Sequence, residues 1–435
     1  MNTDALSSRE YLPRVIDNEL AAVLEYVGAV VLEGARATGK TMTALNASSS
    51  HVLLDTPSAQ LLAATVPEAL LDGAKPRLLD EWQTVPALWN LVRRAVDQSP
   101  TRGQFILTGS AVPSDDLTRH TGAGRFQRLR MRTMTWYEKA SGLCPTDNSA
   151  ADQQTQVSLS GLFAGDRPAG RLDGAPALRD VIESLLRPGF PDLLDLPASR
   201  AARRLRAYAD DVARTDVHRI AELRHEPGVI KQLLAALARN TASEVTFSTL
   251  AKDVRIAAPG ISAETVASYV ELLQRLFVVE LQRAWTPSLR SRATVRTSPR
   301  YHLVDPAFAA AVLGAGEHEL MADLATTGLL FESAAVHDLT VFAGLFDGQV
   351  RHYRDSNRRE IDAIITFPGG RWAAIEIKLG AAQITGAIAS LNRAIADIDT
   401  ESVGEPAFRL VVTGTGPVFT ADDGTVTAPL SALAP

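Results

Sequence analysis

Cysteine is nearly absent from the sequence, since Cys144 is the only one in 435 residues. No intrachain disulfide can form, which excludes a secreted disulfide-rich scaffold. No apolar run approaches the roughly 20 residues that a helix needs to cross a bilayer. The first twenty residues also lack the apolar region of a signal peptide. We therefore expect a cytoplasmic protein with no membrane partner.

A strong excess of one charge is also lacking. Lys and Arg number 44 against 50 Asp and Glu, which leaves a net charge of −6. This balance argues against non-specific coating of nucleic acid by the whole protein, although local basic sites stay open. Hydrophobic residues make up 46% of the chain, so disorder over the whole length is excluded. At about 150 residues per domain, the length predicts two or three domains.

The secondary-structure pattern changes along the chain. Strands and helices alternate from about residue 9 to 138, which is typical of a parallel sheet. A stretch rich in Ser, Asp, Gln, Gly and Pro then predicts a linker or insertion. Helical spacing dominates afterwards, and a helix and a hairpin turning at Pro368-Gly369-Gly370 follow. These changes predict four segments, at residues 1–144, 145–170, 171–315 and 316–435.

An eight-residue glycine-rich motif follows the predicted strand Gly28–Leu32 and precedes a predicted helix. It matches G-x-x-x-x-G-K-[ST] completely. In such a loop, backbone N–H groups surround phosphate oxygens, the lysine reaches the β- and γ-phosphates and the hydroxyl binds Mg²⁺. We expect ATP and Mg²⁺ as cofactors and count the lysine as catalytic; the alternative is a turn that binds nothing. The predicted nucleotide-binding residues are Gly34, Ala35, Arg36, Ala37, Thr38, Gly39, Lys40 and Thr41.

Two carboxylates end the predicted strand that begins at Arg77. We expect Asp80 to hold Mg²⁺ through water and to share the metal with Thr41, and Glu81 to orient and deprotonate the attacking water. The alternative is an acidic helix cap at a strand exit. The strand Phe105–Leu107 ends in Thr108-Gly109-Ser110, and Ser110 is our candidate for a contact to the γ-phosphate or the water, although a plain turn is the alternative.

The segment from Gly124 to Arg132 alternates basic with other residues. In an extended strand, Arg128, Arg130 and Arg132 share one face. An arginine of this segment, for which we name Arg125, would reach the γ-phosphate in its own chain or in a neighbouring subunit. A solvated strand face with ion pairs is the alternative interpretation.

The order of these motifs resembles that of a family of bacterial and archaeal AAA+-type ATPases that carry a C-terminal domain of unknown function. The resemblance runs from Tyr11 to about Leu379, and it departs from the family in the long segment 145–170 and at Pro188, where glycine is common. The matching segments are Gly34–Thr41, Leu78–Glu81, Ile106–Ser110, Gly124–Arg130, Pro188–Pro191, Tyr208–Asp216, Tyr301–Asp305 and Gly328–Glu332.

The predicted C-terminal hairpin carries a second set of charged residues. Glu376 and Lys378 point to one face of a strand because they are two residues apart, and Asp362 lies on the other arm. This is the arrangement of the restriction-endonuclease-like fold, in which carboxylates hold a divalent ion and lysine activates water. Glu332, on the preceding helix, completes the predicted metal site. The alternative is a surface hairpin with an ion pair, and the fold also occurs without activity.

Residues 247–279 predict a helix–turn–helix followed by a wing-like strand, and a basic stretch comes next. This pattern favours DNA as a partner; the alternative is a helical lid on the ATPase core. A protein partner or a second copy of the chain stays open. The basic residues are Arg283, Arg290, Arg292, Arg296 and Arg300.

Together these patterns predict an α/β protein with an AAA+-like P-loop sheet, a helical and winged-helix-like middle and a C-terminal restriction-endonuclease-like domain. The expected function is an ATPase that couples Mg-ATP binding and hydrolysis to a DNA-associated C-terminal domain. Two alternatives are a nucleotide-controlled DNA-binding switch without nuclease activity and an ATP-gated nuclease.

Overall fold

The computed structural model describes residues 11–111, 124–141, 156–170, 175–221, 226–287, 298–357 and 359–435. Three groups of elements follow one another along the chain: an N-terminal parallel sheet with helices, a helical middle with a small sheet, and a C-terminal mixed sheet. Within the described ranges, no helix combines the length and the apolar character required to cross a bilayer.

The N-terminal sheet has five parallel strands in the order β2-β3-β4-β1-β5. Its central strands are almost wholly buried, which explains their continuous apolar runs. The α/β class and the parallel sheet expected from the sequence are thus confirmed. The strands are β1 Ala29–Glu33, β2 Ser50–Leu53, β3 Arg77–Asp80, β4 Phe105–Gly109 and β5 Phe126–Arg130, and the helices are α1 Ile16–Leu24, α2 Lys40–Asn46, α3 Pro57–Thr65, α4 Leu88–Gln98 and α5 Trp136–Ser141.

The middle of the chain is mostly helical. It also contains a three-stranded antiparallel sheet in the order β7-β9-β8. Strand β7 (Ser243–Glu244) lies before the helices Phe247–Val254 and Ala263–Arg275, and β8 (Val279–Gln282) and β9 (Arg300–Leu303) lie after them. Thr246 and Ser262 cap α11 and α12 by accepting hydrogen bonds from the backbone N–H groups of Thr249 and Thr265, which fixes where these helices begin. The helices are α6 Leu159–Ala164, α7 Leu178–Leu186, α8 Ala198–Asp211, α9 Val217–Ile220, α10 Pro227–Arg239, α11 Phe247–Val254, α12 Ala263–Arg275, α13 Pro306–Leu313 and α14 Glu317–Ala322, and the strands are β7 Ser243–Glu244, β8 Val279–Gln282 and β9 Arg300–Leu303.

The C-terminal sheet has six strands in the order β10-β11-β12-β13-β15-β14. Strands β11 and β12 form an antiparallel hairpin around Pro368–Gly370, and β12, β13 and β15 run parallel. The long helix α15 packs against β10, β11 and β12. The strands are β10 Gln349–Arg354, β11 Glu360–Thr366, β12 Trp372–Lys378, β13 Arg409–Thr413, β14 Phe419–Thr420 and β15 Val426–Pro429, and the helices are α15 Leu324–Gly344, α16 Ile384–Ala396 and α17 Thr400–Val403.

The middle and C-terminal elements share one hydrophobic core. Leu303 on β9, Phe331 on α15 and Ile375 on β12 belong to the same cluster of buried side chains. A boundary near residue 315 therefore separates sequence patterns but does not separate two cores.

Part of the predicted linker also packs into this core. Residues 156–170 include the short strand β6 Val157–Ser158, which pairs with β16 Leu433–Ala434 at the end of the chain. Val157, Leu159 and Leu162 are buried, so this half of the segment is an integral part of the fold. Residues 145–155 lie outside the described residues.

Candidate functional site

The glycine-rich loop lies between β1 and α2, at the edge of the sheet where all five parallel strands end. Gly39 has φ 102° and Ala37 has φ 65°, a left-handed conformation that glycine adopts without strain. A Cβ atom on Gly34 would lie 2.1 Å from the carbonyl oxygen of Met131. The tight path of the loop thus explains both glycines of the motif.

Lys40 is folded back across this loop. Its side chain is buried, and Nζ donates a hydrogen bond to the carbonyl oxygen of Ala35 at 2.7 Å. Burial lowers the pKa of Lys40 to about 8, although the carboxylates of Glu81 and Asp80 oppose the shift. The cation lies inside the loop, where it has no carboxylate ion pair within the described residues.

Asp80 collects two hydroxyl groups around one carboxylate oxygen. Thr41 Oγ1 donates to Asp80 Oδ1 at 2.9 Å, and Thr108 Oγ1 donates to the same oxygen at 2.5 Å. Burial raises the pKa of Asp80, and the two hydrogen bonds oppose this shift. A hydroxyl oxygen and a carboxylate side by side are hard ligands of the type that Mg²⁺ prefers, so the residues present fit the metal of a Mg-ATP complex.

Glu81 is held by its backbone and by two polar side chains. Its φ is 54°, and its backbone N–H donates to Thr108 Oγ1 at 3.1 Å. Glu81 Oε2 accepts hydrogen bonds from Ser110 Oγ, at 3.2 Å, and from Gln83 Nε2. A non-glycine residue in this conformation costs about 1 kcal/mol or more. The strain and the bonds fix the direction of one carboxylate at the end of β3.

A cavity of about 590 Å³ opens in front of Glu81. Arg36, Glu81 and Ser110 line it from the N-terminal unit, and Tyr208, Asp216 and Arg219 line it from the helical middle. Asp216 ends a π-helical turn at residues 212–216 and lies 3.5 Å from the guanidinium of Arg36. Such turns often occur at functional sites. Sequence reasoning did not assign Asp216, Arg219 or Gln83 to the site.

Arg125 is not brought to the loop. It directly precedes β5, and its carbonyl oxygen accepts a hydrogen bond from the N–H of Ala29, at the start of β1. Five strand residues, or about 16 Å, separate this edge of the sheet from the loop. Its guanidinium pairs with Asp97 at 2.7 Å. We therefore leave Arg125 out of the nucleotide site of its own chain.

The other arginines of that segment also bind carboxylates. Arg128 pairs with Glu33 at 2.8 Å. Arg130 and Arg132 both pair with Glu280 on β8, at 3.1 and 2.9 Å. This shared carboxylate ties the N-terminal sheet to the helical middle.

The C-terminal residues predicted from the sequence do meet in one place. Lys378 Nζ lies 2.8 Å from Glu376 and 3.2 Å from Asp362, and Glu332 reaches the cluster from α15. Burial and the Asp362 carboxylate both raise the pKa of Glu332 and of Glu376. Sequence reasoning missed one member: Arg300 on β9, which lies 2.6 Å from Glu332.

Only two of the five arginines of the predicted basic surface, Arg283 and Arg300, lie among the described residues. Arg283 is exposed, whereas Arg300 is buried and faces carboxylates. Arg290, Arg292 and Arg296 lie outside the described residues. The exposed positions of α12 include Glu264 and Glu271, so this helix does not present a basic face.

Comparison with known proteins supports the N-terminal assignment. Residues 27–140 match the model of an AAA domain. Residues 178–319 and 327–433 match two domains of unknown function, DUF8612 and DUF4143. No curated protein matches the chain.

Solved structures resemble the chain only distantly. The Walker-type ATPase PABY2304 of Pyrococcus abyssi is 15% identical, with a TM-score of 0.40 over 71% of this chain and 99% of that one. The FIGL-1 AAA domain in complex with ADP is 15% identical, with a TM-score of 0.24 over 63% of this chain and 86% of that one. The Aeropyrum pernix ORC1 protein in complex with DNA is 11% identical, with a TM-score of 0.25 over 71% and 95%. These likenesses do not identify a function. The AAA-domain match, which includes the loop and Asp80-Glu81, is what supports an ATPase of the AAA type.

Proposed function

We propose that this protein binds Mg-ATP at the loop of residues 34–41 and hydrolyses it. The observation that carries the proposal is the arrangement at the end of β3. Asp80 bonds to the Thr41 hydroxyl, while the next residue, Glu81, points into an open cavity and is held by Ser110. The loop, Asp80 and Glu81 lie at one edge of the sheet, which supports their proposed roles as phosphate-binding loop, metal ligand and base.

Each of these residues has a distinct task in the proposed reaction. Lys40 and the backbone N–H groups of the loop bind the phosphates, and Thr41 and Asp80 hold Mg²⁺, directly or through water. The metal would offset negative charge on the phosphate oxygens. Glu81 accepts a proton from the water that attacks the γ-phosphate, and Ser110 and Gln83 keep its carboxylate oriented.

Loss of ATP binding in Lys40→Ala tests this proposal. Lys75→Ala is a matched control, because Lys75 also has a pKa lowered to about 8 by burial but precedes β3 at the opposite edge of the sheet. We expect ATP affinity, measured by calorimetry, to fall by roughly 100-fold or more in the first variant, in line with lost hydrogen bonds to charged phosphate. Unchanged affinity in Lys40→Ala would contradict the proposal.

The described contacts also favour coupling between the ATPase unit and the rest of the chain. Asp216 touches Arg36 of the loop, and Glu280 pairs with Arg130 at the end of β5 and with Arg132 just after it. A change at the γ-phosphate position therefore has a physical route to the helical middle and its shared core with the C-terminal sheet. We propose that ATP binding and hydrolysis change how these units are held together.

DNA is the second partner that we propose. The specific observation is the order of α11, α12 and the β8–β9 hairpin, which is that of a helix–turn–helix with a wing, with Lys252, Arg255 and Arg283 exposed around it. A gel-shift titration over salt tests this, since binding to phosphates weakens steeply as salt rises. A complete lack of salt-dependent DNA affinity would count against DNA and favour a protein partner or a second copy of the chain. A nuclease role is not part of this proposal, because Arg300 and Lys378 already face the carboxylates of the C-terminal cluster.

A further inference from the structure

The C-terminal cluster of Glu332, Asp362, Glu376 and Lys378 contains a fifth member from another part of the chain. Arg300 is 5% exposed, and its Nη1 atom lies 2.6 Å from Glu332 Oε1 and 3.7 Å from Asp362 Oδ1. It sits on β9, which is paired on both sides, with β7 and with β8. A rigid sheet of the helical middle thus places a guanidinium among the carboxylates of the C-terminal domain.

We propose that Arg300 takes the place of a divalent cation in this cluster, which makes the cluster an ionic contact between the helical middle and the C-terminal sheet. In the proteins whose fold the hairpin motif resembles, carboxylates at these positions would hold a metal ion. Here the positive charge comes from the chain itself.

The contacts of the carboxylate oxygens support this assignment. Asp362 Oδ2 accepts a hydrogen bond from the backbone N–H of Ile377 at 2.9 Å and lies 3.2 Å from Lys378 Nζ. Glu376 Oε1 lies 2.8 Å from the same ammonium group. With Glu332 Oε1 bound to Arg300, each of the three acids already faces a cation.

A metal ion does not fit this arrangement. Mg²⁺ requires oxygen ligands at about 2.0–2.1 Å in a nearly octahedral shell, whereas the nitrogen donors of Arg300 and Lys378 occupy the space beside the carboxylates. Among the residues that the structure describes, no three His, Cys, Asp or Glu side chains are arranged to hold a metal ion.

One carboxylate oxygen of the cluster has no hydrogen-bond donor beside it among the residues that the structure describes. Glu376 Oε2 is buried and has no hydrogen-bond partner, and the Glu376 side chain is 7% exposed. An unpaired carboxylate oxygen in such a place is costly. Removal of the Arg300 guanidinium would free Glu332 and Asp362 beside it, and rotation of these side chains could then bring three carboxylates around one metal ion.

The helical middle holds Asp362 by a second side chain as well. Gln282 on β8 donates from Nε2 to the backbone carbonyl oxygen of Asp362 at 2.8 Å. Arg300 and Gln282 therefore address the same residue of β11 from adjacent strands. Two contacts from the helical middle to Asp362 are typical of a structural interface between two parts of a chain. They are less typical of an active site, which must exchange metal and substrate.

Counting bound Mn²⁺ by its EPR signal tests the proposal with nucleotide-free protein. Arg300→Met removes the guanidinium but keeps the length of the side chain. Arg354→Met is the matched control: Arg354 pairs with Glu360 at 2.8 Å and with Glu244 at 3.6 Å. Glu360 also lies 3.8 Å from Arg300, so this variant breaks a neighbouring ionic contact between the same units and frees none of the three carboxylates. Mn²⁺ at Asp80 is common to all variants and cancels in the comparison.

We expect Arg300→Met to bind about one more Mn²⁺ per chain than wild type, and the double variant Arg300→Met/Glu376→Gln to lose it, while Arg354→Met binds as wild type does. A folded Arg300→Met that binds no additional Mn²⁺ would overturn the proposal.

A second measurement does not depend on the folding of Arg300→Met. Glu376→Gln in the wild-type background should leave the number of bound Mn²⁺ ions unchanged, because the wild-type centre holds none. Loss of one Mn²⁺ in that variant would show a resident metal and overturn the proposal. ATP turnover is a separate readout, so failure of this inference and failure of the ATPase assignment are distinguishable.

Discussion

Burial and ATP binding have opposite effects on the charge of Lys40. Burial lowers its pKa to about 8, which means that the folded, nucleotide-free protein loses this proton as the pH rises through about 8, well below the ordinary lysine range. A bound triphosphate favours the charged form. Binding at alkaline pH therefore requires uptake of a proton.

This linkage predicts that ATP affinity falls as the pH rises above about 8, by about tenfold per pH unit. Calorimetry in two buffers of different ionisation enthalpy measures the protons taken up. We expect nearly none at pH 7 and most of one proton at pH 8.5. Equal enthalpies in both buffers at pH 8.5 would show that Lys40 stays charged in the free protein.

In the proposed reaction, Glu81 acts in the hydrolysis of ATP and is not needed to bind it. Glu81→Gln keeps the shape of the side chain but removes the base, so we expect retained ATP binding and a loss of turnover of roughly 100-fold or more. Steady-state phosphate release and equilibrium ATP binding measure the two effects. A variant that hydrolyses ATP at the wild-type rate would exclude Glu81 as the base.

The distance of Arg125 from the phosphate-binding loop predicts that this residue does not act in ATP hydrolysis within its own chain. Because it pairs with Asp97 at the edge of the sheet opposite the loop, Arg125→Ala should change turnover by less than about twofold, as surface substitutions usually do. The assay is repeated over a range of protein concentrations. A large loss that grows with concentration would reveal a contribution to a neighbouring subunit.

At the scale of elements, local patterns predicted most of what the structure contains. The strand–loop–helix around residues 34–41, the parallel sheet and the hairpin at Pro368–Gly370 each follow from residues close in sequence, since glycine positions and apolar runs determine them locally. Contacts distant in sequence were not predictable. Arg300 looks like part of a basic surface in the sequence, and only the pairing of β9 turns it toward Glu332.

The linker prediction shows the same limit. The segment of residues 145–170 is polar in its average composition, although Val157, Leu159 and Leu162 are apolar and buried. Their burial depends on the last strand of the chain, more than 250 residues away. The family resemblance included the segment Tyr208–Asp216, but nothing local indicates that a π-helical turn places Asp216 beside the loop.

The contact between β5 and β8 predicts a measurable loss of stability. Burial acts to raise the pKa of Glu280, but Arg132 and Arg130 together outweigh it and hold this pKa well below the ordinary range. Glu280→Gln would leave both partly buried guanidiniums without their carboxylate, at a cost of about 1–3 kcal/mol. Urea unfolding at pH 7 measures the change in the free energy of unfolding.

Acid pH provides the control for this prediction. A carboxyl group with a lowered pKa stabilises the folded state above its unfolded pKa, and this stability is lost as the pH falls through the acid range. Glu280→Gln should therefore lose less stability than wild type between about pH 5 and pH 3. The exposed Glu271→Gln, on α12, should follow wild type at every pH, and a parallel loss in all three proteins would exclude the ion pair as the cause.

At the scale of the whole molecule, ionic contacts join the three groups of elements. Glu280 pairs with Arg130 and Arg132, the Arg300 cluster forms a second contact, and Arg354 pairs with Glu244 in a third. The middle and the C-terminal sheet also share a core. The phosphate-binding loop also contacts the helical middle through the ion pair of Arg36 with Asp216.

The ion pair of Arg36 with Asp216 lets us predict how ATP binding affects the helical middle. The γ-phosphate is an anion that would compete with the Asp216 carboxylate for Arg36 and would be repelled by it. Removing the charge in Asp216→Asn should therefore strengthen ATP binding, by roughly threefold to tenfold for a partly screened charge. ADP is the matched control, since it lacks the competing phosphate and its affinity should change much less.

Hydrogen exchange then shows whether the effect reaches the helical middle. If ATP separates Asp216 from Arg36, amides of residues 212–220 should exchange faster in the ATP-bound Glu81→Gln protein, which does not consume the nucleotide, than in its ADP-bound form. In Asp216→Asn this difference should shrink, because the ion pair is already broken. Weaker ATP binding in Asp216→Asn would instead make Asp216 a residue that supports the nucleotide, and the helical middle would then close onto ATP rather than release it.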